Sequence, residues 1–85
     1  MNIRIEYCVV WNYEPRALSL REELGQAFPD VIEGTYNTPG NTGAFEVFVN
    51  EDLLFSKVQL GRFPNDGEIV NLIKEFKERP IWYEV

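Results

Sequence analysis

The sequence predicts a two-layer α/β domain in which a four-stranded mixed sheet carries two helices on one face. Three observations support this prediction. Apolar and polar residues alternate in the first strand segment, two longer segments repeat apolar residues at helical spacing, and turn-forming residues separate the segments. With 85 residues, the chain is assigned to one domain over residues 1–85, which can bury only about 60% of the unfolded surface. We therefore expect a shallow surface site.

The first two elements are a strand and a helix. Residues 3–7 alternate apolar and polar side chains, which indicates a half-buried strand. A helix is predicted to begin near Pro15, because proline suits the first helical position, where its missing N–H costs nothing. Pro29 is expected to end this helix. Its apolar stripe, spaced by three and four residues, consists of Ala17, Leu20, Leu24, Ala27 and Phe28.

Three further strands are predicted in the middle of the chain. Residues 31–36 are suited to a second strand, parallel to the first because a strand-helix-strand unit normally makes a right-handed crossover. Residues 37–43 are rich in turn formers and are predicted to be a loop. Residues 44–49 and 53–58 are predicted to form an antiparallel hairpin that turns at 50–52.

A second helix is predicted after Asn65, which forms a capping-box pattern with Glu68, and it should end at Pro80. Its buried stripe consists of Ile69, Leu72, Ile73 and Phe76. The apolar tail 81–85 is expected to pack back on the domain rather than serve as an exposed binding peptide. The resulting order, β-α-β-β-β-α, is the thioredoxin-like arrangement with spatial strand order 2-1-3-4.

Polar residues alternate with apolar ones on the first and third strands. They are Arg4, Glu6 and Glu46, and they predict that one face of the sheet meets water. Both helices should therefore cover the other face. The expected place for a ligand in such an open sheet is beyond the carboxyl end of the first strand, where residue 8 follows.

Composition excludes several classes of function. The net charge of −6 disfavours nucleic acid or an anionic membrane surface as a partner. The chain has no histidine and one cysteine, which excludes a Cys-His pair, an imidazole metal ligand and an internal disulfide. We predict no metal and no bound cofactor. No signal peptide or membrane span is recognised, so a cytoplasmic protein is expected.

Cys8 is the candidate reactive residue. It follows the first strand and faces the start of the first helix, whose N–H groups and dipole would stabilise a thiolate. Arg16 would act in the same direction, whereas Glu6 and Glu14 oppose thiolate formation, so the direction of the pKa change stays open. The alternative is that Cys8 is a small buried hydrophobic residue, as unpaired cysteines often are.

Several blocks of the sequence, in this order and spacing, resemble the selenoprotein W family nearly end to end. They are Tyr7-Cys8-x-x-Trp11, Tyr13 with Pro15, the loop from Thr38-Pro39 to Gly43, Phe45-Glu46-Val47, Ser56-Lys57 and Gly61-x-Phe63-Pro64. The resemblance implies a Cys-x-x-selenocysteine or Cys-x-x-Cys redox pair in the first loop. It also implies glutathione or thioredoxin-type proteins as partners and a role in thiol redox control.

Trp11 departs from the family pattern, because it stands at the second redox position and has neither a thiol nor a selenol. One hypothesis is that Trp11 replaces selenocysteine, whose UGA codon differs in one base from the tryptophan codon UGG. The alternative is a true tryptophan in a degenerate member of the family. We expect the Trp11 side chain to be exposed, since the reactive group at this position must reach a partner.

Two functions therefore remain open at this stage. The first is a thiol-selenol oxidoreductase in which position 11 attacks and Cys8 resolves, impaired in the chain as written. The second is an interaction module without redox activity that uses Val9, Val10, Trp11 and Tyr13 as a contact patch. An exposed Cys8 thiol would favour the first function, and a thiol sealed beneath Trp11 would favour the second.

Overall fold

A computed structural model describes residues 2–30 and 35–77. Its elements are β1 (Ile3–Tyr7), α1 (Glu14–Ala27), β2 (Thr35–Pro39), β3 (Phe45–Val49), β4 (Asp52–Ser56), α2 (Lys57–Leu60) and α3 (Glu68–Lys77). The strands form one sheet in the order β2-β1-β3-β4. β1 is parallel to β2 and antiparallel to β3, and β3 is antiparallel to β4. This confirms the predicted mixed sheet and strand order.

The core lies on one face of the sheet, where Ile3 and Ile5 of β1 and every second residue of β3 are buried. α1 and α3 contact each other and bury their apolar residues in the same cluster, so both cover this face as predicted. The buried cluster contains Ile3, Ile5, Ala17, Leu20, Leu24, Phe28, Phe45, Val47, Val49, Phe55, Ile69 and Ile73. Burial of this apolar surface is the main stabilising contribution to a small domain.

The opposite face of the sheet is polar at the positions that the sequence indicated. Arg4 is half-buried, forms an ion pair with Glu6 and a second one with Glu51 at 3.2 Å, and its guanidinium lies 4.0 Å from the centre of the Phe48 ring. Glu46 on the same face accepts a hydrogen bond from the Ser56 hydroxyl at 2.6 Å. Charged groups are thus tolerated here because they are paired.

The second strand is displaced from its predicted position. Residues 35–39 form β2, so the prediction of a loop was wrong for residues 37–39, and residues 31–34 lie outside the described part of the chain. Pairing with β1, from Ile3 opposite Thr35 to Tyr7 opposite Pro39, overrides the turn preference of these residues. Pro39 is tolerated because β2 is an edge strand and Pro39 is its last residue.

The hairpin is confirmed, but its second strand is shorter than predicted. Asn50 and Glu51 have φ values of 50° and 71°, the left-handed pair typical of a two-residue hairpin turn. Residues 57–60 form the short helix α2 instead of continuing the strand, so the described residues form three helices where two were predicted. The Ser56 hydroxyl accepts the Gln59 N–H at 3.1 Å and caps α2, which then ends at Gly61 with φ 75°.

The two longer helices lie close to their predicted positions. α1 begins at Glu14 and buries the predicted stripe except Ala27, which is exposed in the last turn. α3 begins at Glu68, whose carboxylate accepts the Asn65 N–H at 2.8 Å, as the capping-box pattern indicated. Pro80 and the tail 81–85 lie outside the described residues. None of the described helices is long and apolar enough to cross a membrane.

Candidate functional site

The loop between β1 and α1 is a tight turn that holds Cys8 against the sheet. The Cys8 N–H donates to the Ala44 carbonyl at 2.8 Å, and the Cys8 carbonyl accepts the Tyr13 N–H at 3.0 Å. Inside the turn, the Asn12 N–H donates to the Val9 carbonyl at 3.0 Å, and Asn12 itself adopts a left-handed φ of 58°. Asparagine tolerates this conformation better than most residues. The turn therefore fixes position 8 at the end of β1 and position 11 just before α1.

The Cys8 side chain is 1% exposed, and its sulfur is surrounded by backbone donors. The Trp11 N–H donates to Sγ at 3.3 Å, and the N–H groups of Val10 and Gly43 also stabilise the thiolate. Burial raises the pKa of the Cys8 thiol, but these donors and the positive charge of Lys57 together lower it below its ordinary value. The sequence left open whether the pKa of Cys8 is raised or lowered, and in the structure it is lowered.

Gly43 lies near Cys8 because both ends of the loop 40–44 form backbone hydrogen bonds with the end of β1 and the residue after it. The Gly40 N–H donates to the Tyr7 carbonyl at 2.8 Å, next to the bond that Cys8 makes with Ala44. Gly43 has a φ of 81°, and a Cβ atom there would lie 3.1 Å from Cζ3 of the Trp11 ring. Glycine at this position thus allows both the left-handed backbone and the close approach of the indole.

The residues between Cys8 and Tyr13 project into solvent. Trp11 is 54% exposed, which confirms the expectation for its side chain, and Val9 and Val10 are 57% and 80% exposed. By the exposure criterion alone, the buried Cys8 sulfur favours the interaction module. The donors around the sulfur favour a thiolate, however, which is the form that takes part in thiol–disulfide exchange.

An aromatic row runs from this loop into the core. Trp11 lies edge-to-face against Tyr13 at 6.1 Å between ring centres, Tyr13 against Phe63 at 4.7 Å, and Phe63 against Phe45 at 5.4 Å. These edge-to-face contacts are a preferred arrangement of aromatic pairs. The row connects exposed position 11 to a residue that is fully buried.

Two cations lie over this row. Arg16 Cζ is 3.9 Å from the centre of the Phe63 ring, and Lys57 Nζ is 5.2 Å from the same centre and 5.3 Å from that of Tyr13. Such positions are favourable because the face of an aromatic ring is negative. Arg16 was expected to favour a thiolate, whereas Lys57 had no assigned role in the sequence.

The acidic residues expected to oppose the thiolate are engaged elsewhere. Glu6 is paired with Arg4, and Glu14 accepts a hydrogen bond from the Tyr7 hydroxyl at 3.2 Å. Burial, the hydrogen bond to Glu14 and the negative charge of that residue raise the pKa of Tyr7. Within residues 2–30 and 35–77, no cluster of His, Cys, Asp or Glu is suited to a metal ion.

A cleft of about 100 Å³ lies next to the aromatic row. Its walls come from α1 and from the segment that leads into α3, and they include Arg16, Glu23, Phe63 and Asp66. The sequence did not indicate this cleft or the contribution of Gly43 and Lys57. Gly43, Ser56-Lys57 and Phe63 belong to the blocks that resemble the selenoprotein W family. The resemblance itself assigned no role to them.

Comparison with known proteins places the chain in a family. Residues 2–75 match the Rdx family. Migration and invasion enhancer 1 of Bos taurus is 33% identical over 75 residues, which is 87% of this chain and 63% of that protein. Selenoprotein W of Ovis aries is 39% identical over 56 residues, which is 65% of this chain and 64% of that protein. The chain thus spans less than two thirds of the length of these relatives.

Solved structures agree with this relationship. A selenoprotein W-related protein from Vibrio cholerae has a TM-score of 0.82 and 29% identity, over 88% of this chain and 94% of that one. A protein from Bordetella parapertussis has the same fold, with a TM-score of 0.82 and 24% identity over 88% of this chain and 95% of that one. The chain therefore belongs to the Rdx family of selenoprotein W-like proteins.

Proposed function

We propose that this chain is a selenoprotein W-like thiol redox protein whose reactive positions are Cys8 and residue 11. Membership of the Rdx family suggests a redox-related function. The observation that carries the proposal is the buried Cys8 sulfur, held by three backbone N–H groups beside an exposed position 11. Glutathione or a thioredoxin-type protein would be the external partner, and the cytoplasm the compartment; both are part of the proposal.

The two positions have different roles in the proposed reaction. A selenolate or thiolate at position 11 attacks a disulfide, so that one S–S bond breaks, a new bond joins position 11 to one half of the substrate, and the other half leaves as a thiolate. The Cys8 thiolate then attacks position 11 and releases the second half. The protein supplies two electrons and ends oxidised, and two external thiols restore it.

The geometry supports this order of steps. Residue 11 is exposed and meets the substrate first, whereas Cys8 is buried and within reach of residue 11, whose N–H lies 3.3 Å from Sγ. With Trp11 in place, the first step cannot occur, because an indole neither attacks nor resolves a disulfide. The chain as written retains at most one mixed disulfide at Cys8.

The identity of residue 11 is the first test of this proposal. If Trp11 replaces selenocysteine, codon 11 of the source gene is UGA. Sequencing the gene decides between this hypothesis and a true tryptophan in a degenerate member, for which the codon is UGG.

The second test is the Trp11→Cys variant. We expect it to form a reversible internal disulfide with Cys8 and to reduce a disulfide substrate in the presence of an external thiol, because the second sulfur acts at millimolar or higher effective concentration. Intact mass after oxidation and a coupled turnover assay measure both results. Cys8→Ser in this background should abolish them.

Val10→Cys provides a matched control, since Val10 is 80% exposed but one residue closer to Cys8. This variant should react with small disulfides and yet form no stable internal disulfide. If Trp11→Cys also forms none, the redox assignment of the loop is wrong.

A second candidate function, an interaction module, is favoured by the exposed apolar side chains of Val9, Val10 and Trp11. In that case the Val9→Ser/Val10→Ser protein would lose its partner in cells, while the Cys8→Ser protein would retain it. Proximity labelling with each variant separates the two functions, because a redox partner held by a mixed disulfide requires Cys8.

A further inference from the structure

Arg16 and Lys57 are cations without an ion pair in the part of the chain that the structure describes. Within residues 2–30 and 35–77, the ion pairs closer than 4.0 Å join Arg4 to Glu6, Arg4 to Glu51 and Arg62 to Glu68. Arg16 and Lys57 are instead held over aromatic rings, with Phe63 common to both. Two unpaired positive charges next to the Cys8 loop are unexpected in a chain with a net charge of −6.

Lys57 is held in this place by its own backbone. The Lys57 N–H donates to one carboxylate oxygen of Glu46 at 2.8 Å, and the Ser56 hydroxyl donates to the other at 2.6 Å. Glu46 therefore fixes the start of α2, and the Lys57 side chain extends from this anchor over the rings of Tyr13 and Phe63. Glu46 binds the backbone N–H of Lys57 and not its ammonium group. The ammonium group therefore stays available to a ligand.

The charge around the Cys8 loop differs from the net charge of the whole chain. The exposed residues of the loop, Val9, Val10 and Trp11, carry no charge. An anion that approaches position 11 meets Lys57, whose field already reaches the Cys8 sulfur.

Five acidic residues lie near the site and have to be weighed against the two cations. The Glu46 carboxylate accepts the Lys57 N–H and the Ser56 hydroxyl, so its negative charge reduces the attraction that Lys57 exerts. Glu6 is paired with Arg4, and Glu14 is engaged by the Tyr7 hydroxyl. Glu23 and Asp66 line the cleft that Arg16 also lines, so they reduce the attraction that Arg16 exerts. Lys57 should consequently contribute more than Arg16.

We propose that Lys57, assisted by Arg16, makes this site selective for disulfides that carry carboxylates near their sulfur atoms. The inference rests on the proposed redox function. Lys57 acts here on the substrate, as a specificity-determining residue, and Glu46 is its positioning residue. A carboxylate placed close to the ammonium group replaces water at a surface that is already partly aromatic, which strengthens the attraction relative to open solvent.

The experiment uses the Trp11→Cys protein and three disulfides of different charge. They are 3,3′-dithiodipropionate, which is anionic, bis(2-hydroxyethyl) disulfide, which is neutral, and cystamine, which is cationic. In each reaction the thiolate at position 11 forms one S–S bond as the reagent's S–S bond breaks, and one reagent thiolate leaves. Stopped-flow rates are expressed as the anionic-to-neutral and cationic-to-neutral ratios, so that a change in thiol pKa cancels.

The matched control for Lys57→Gln is Lys74→Gln. This variant removes the same charge from an exposed position on α3. We expect Lys57→Gln to lower the anionic-to-neutral ratio about fivefold and Lys74→Gln to leave it within about 1.5-fold at low salt. Arg16→Gln should lower it by about twofold, because Glu23 and Asp66 oppose Arg16. Lys57→Arg should retain the ratio, and added salt should reduce the difference between variants.

The outcomes separate this inference from the function on which it rests. No reaction of Trp11→Cys with any of the three disulfides contradicts the redox function itself. Normal reaction with the neutral disulfide, with the same anionic-to-neutral ratio in Lys57→Gln and Lys74→Gln, overturns the charge selectivity alone. Circular dichroism confirms that each variant is folded.

Discussion

The starts of α1 and α3 satisfy their backbone donors in different ways. At α3 the Glu68 carboxylate accepts the Asn65 N–H at 2.8 Å and binds Arg62 through two contacts of 2.7 and 2.8 Å. At α1 the N-cap residue, Tyr13, makes no side-chain cap bond. The donors just before α1, the N–H groups of Val10 and Trp11, turn instead to the Cys8 sulfur.

Under the proposed function, this difference separates a structural helix start from a reactive one. A carboxylate is a strong acceptor, so the α3 cap contributes to stability and occupies the Asn65 N–H. Sulfur is a weak acceptor until it ionises. The hydrogen bonds from this turn to the Cys8 sulfur are therefore weak while the thiol is neutral and become stronger when it forms a thiolate. The proposed redox function requires this property.

The largest effect on this arrangement is expected from Gly43→Ala. Alanine would adopt an unfavourable φ of 81° and place its Cβ 3.1 Å from Trp11 Cζ3. We expect the free energy of unfolding to fall by about 2 kcal/mol. The Trp11 ring should also move outward, which would speed the alkylation of Cys8. Chemical denaturation and the rate of thiol labelling measure the two effects.

Gly61→Ala is the control for this variant, because Gly61 has a φ of 75° but a Cβ there would meet nothing within 4 Å. It should lower the free energy of unfolding by about 1 kcal/mol through backbone strain alone. If Gly43→Ala costs no more than Gly61→Ala, the indole does not rest on Gly43. A Trp11→Cys/Gly43→Ala protein should recover part of the difference, as a double-mutant cycle would show.

A smaller effect is expected from Ser56→Ala, which removes the cap of α2. The Ser56 hydroxyl joins the Gln59 N–H at 3.1 Å to the Glu46 carboxylate at 2.6 Å, and Ser56 is 4% exposed. Its loss should lower the free energy of unfolding by about 1 kcal/mol. Thermal denaturation measures this loss. Ser19→Ala, at an exposed position in α1, should change it by less than about 0.5 kcal/mol, and equal effects of the two variants would contradict the capping role.

The smallest effect is expected from Glu68→Gln, and it depends on pH. The hydrogen bonds from Arg62 and then from the Asn65 N–H lower the pKa of Glu68 from 4.5 to about 2. Because the folded state holds this proton less tightly than the unfolded state, the cap stabilises the protein above pH 4.5 and is lost as the pH falls through about 2.

Thermal melts over this pH range test the prediction. Glu68→Gln should lower Tm by a few degrees at neutral pH, and the difference from the wild-type protein should disappear near the lower end of the range. Glu75→Gln, which also removes an acidic side chain from an exposed position on α3, is the matched control. A constant difference at all pH values would mean that Glu68 acts by packing rather than by its charge.

The sequence predicted those parts of the fold that depend on local pattern. The alternation in β1 and the stripes of α1 and α3 identified the faces that meet the core, because burial follows the period of each element. The position of β2 could not be found in this way, since it depends on pairing with β1 across a helix. The helix α2 could have been found, because Ser56 followed by Gln59 has the sequence pattern of a capping box, and the Ser56 hydroxyl does accept the Gln59 N–H.

The candidate site was predicted in part for the same reason. Cys8 and Trp11 are close in sequence, and their position between a strand and a helix is a local signal. Gly43 and Lys57 reach the sulfur only through the sheet, which brings residues from three strands to one end of the domain. The lowered pKa of Cys8 depends on these distant residues, so its direction could not be derived from the loop alone.

The aromatic row gives the exposed loop a spectroscopic connection to the interior. Trp11, Tyr13, Phe63 and Phe45 lie edge-to-face, so each ring shifts the proton resonances of the next through its ring current. A molecule that displaces the indole would change the chemical shifts of Tyr13 first, and those of Phe63 and Phe45 would follow if the Tyr13 ring moves. Aromatic NMR spectra can therefore report contact at the loop from the half-buried Phe63 and the buried Phe45.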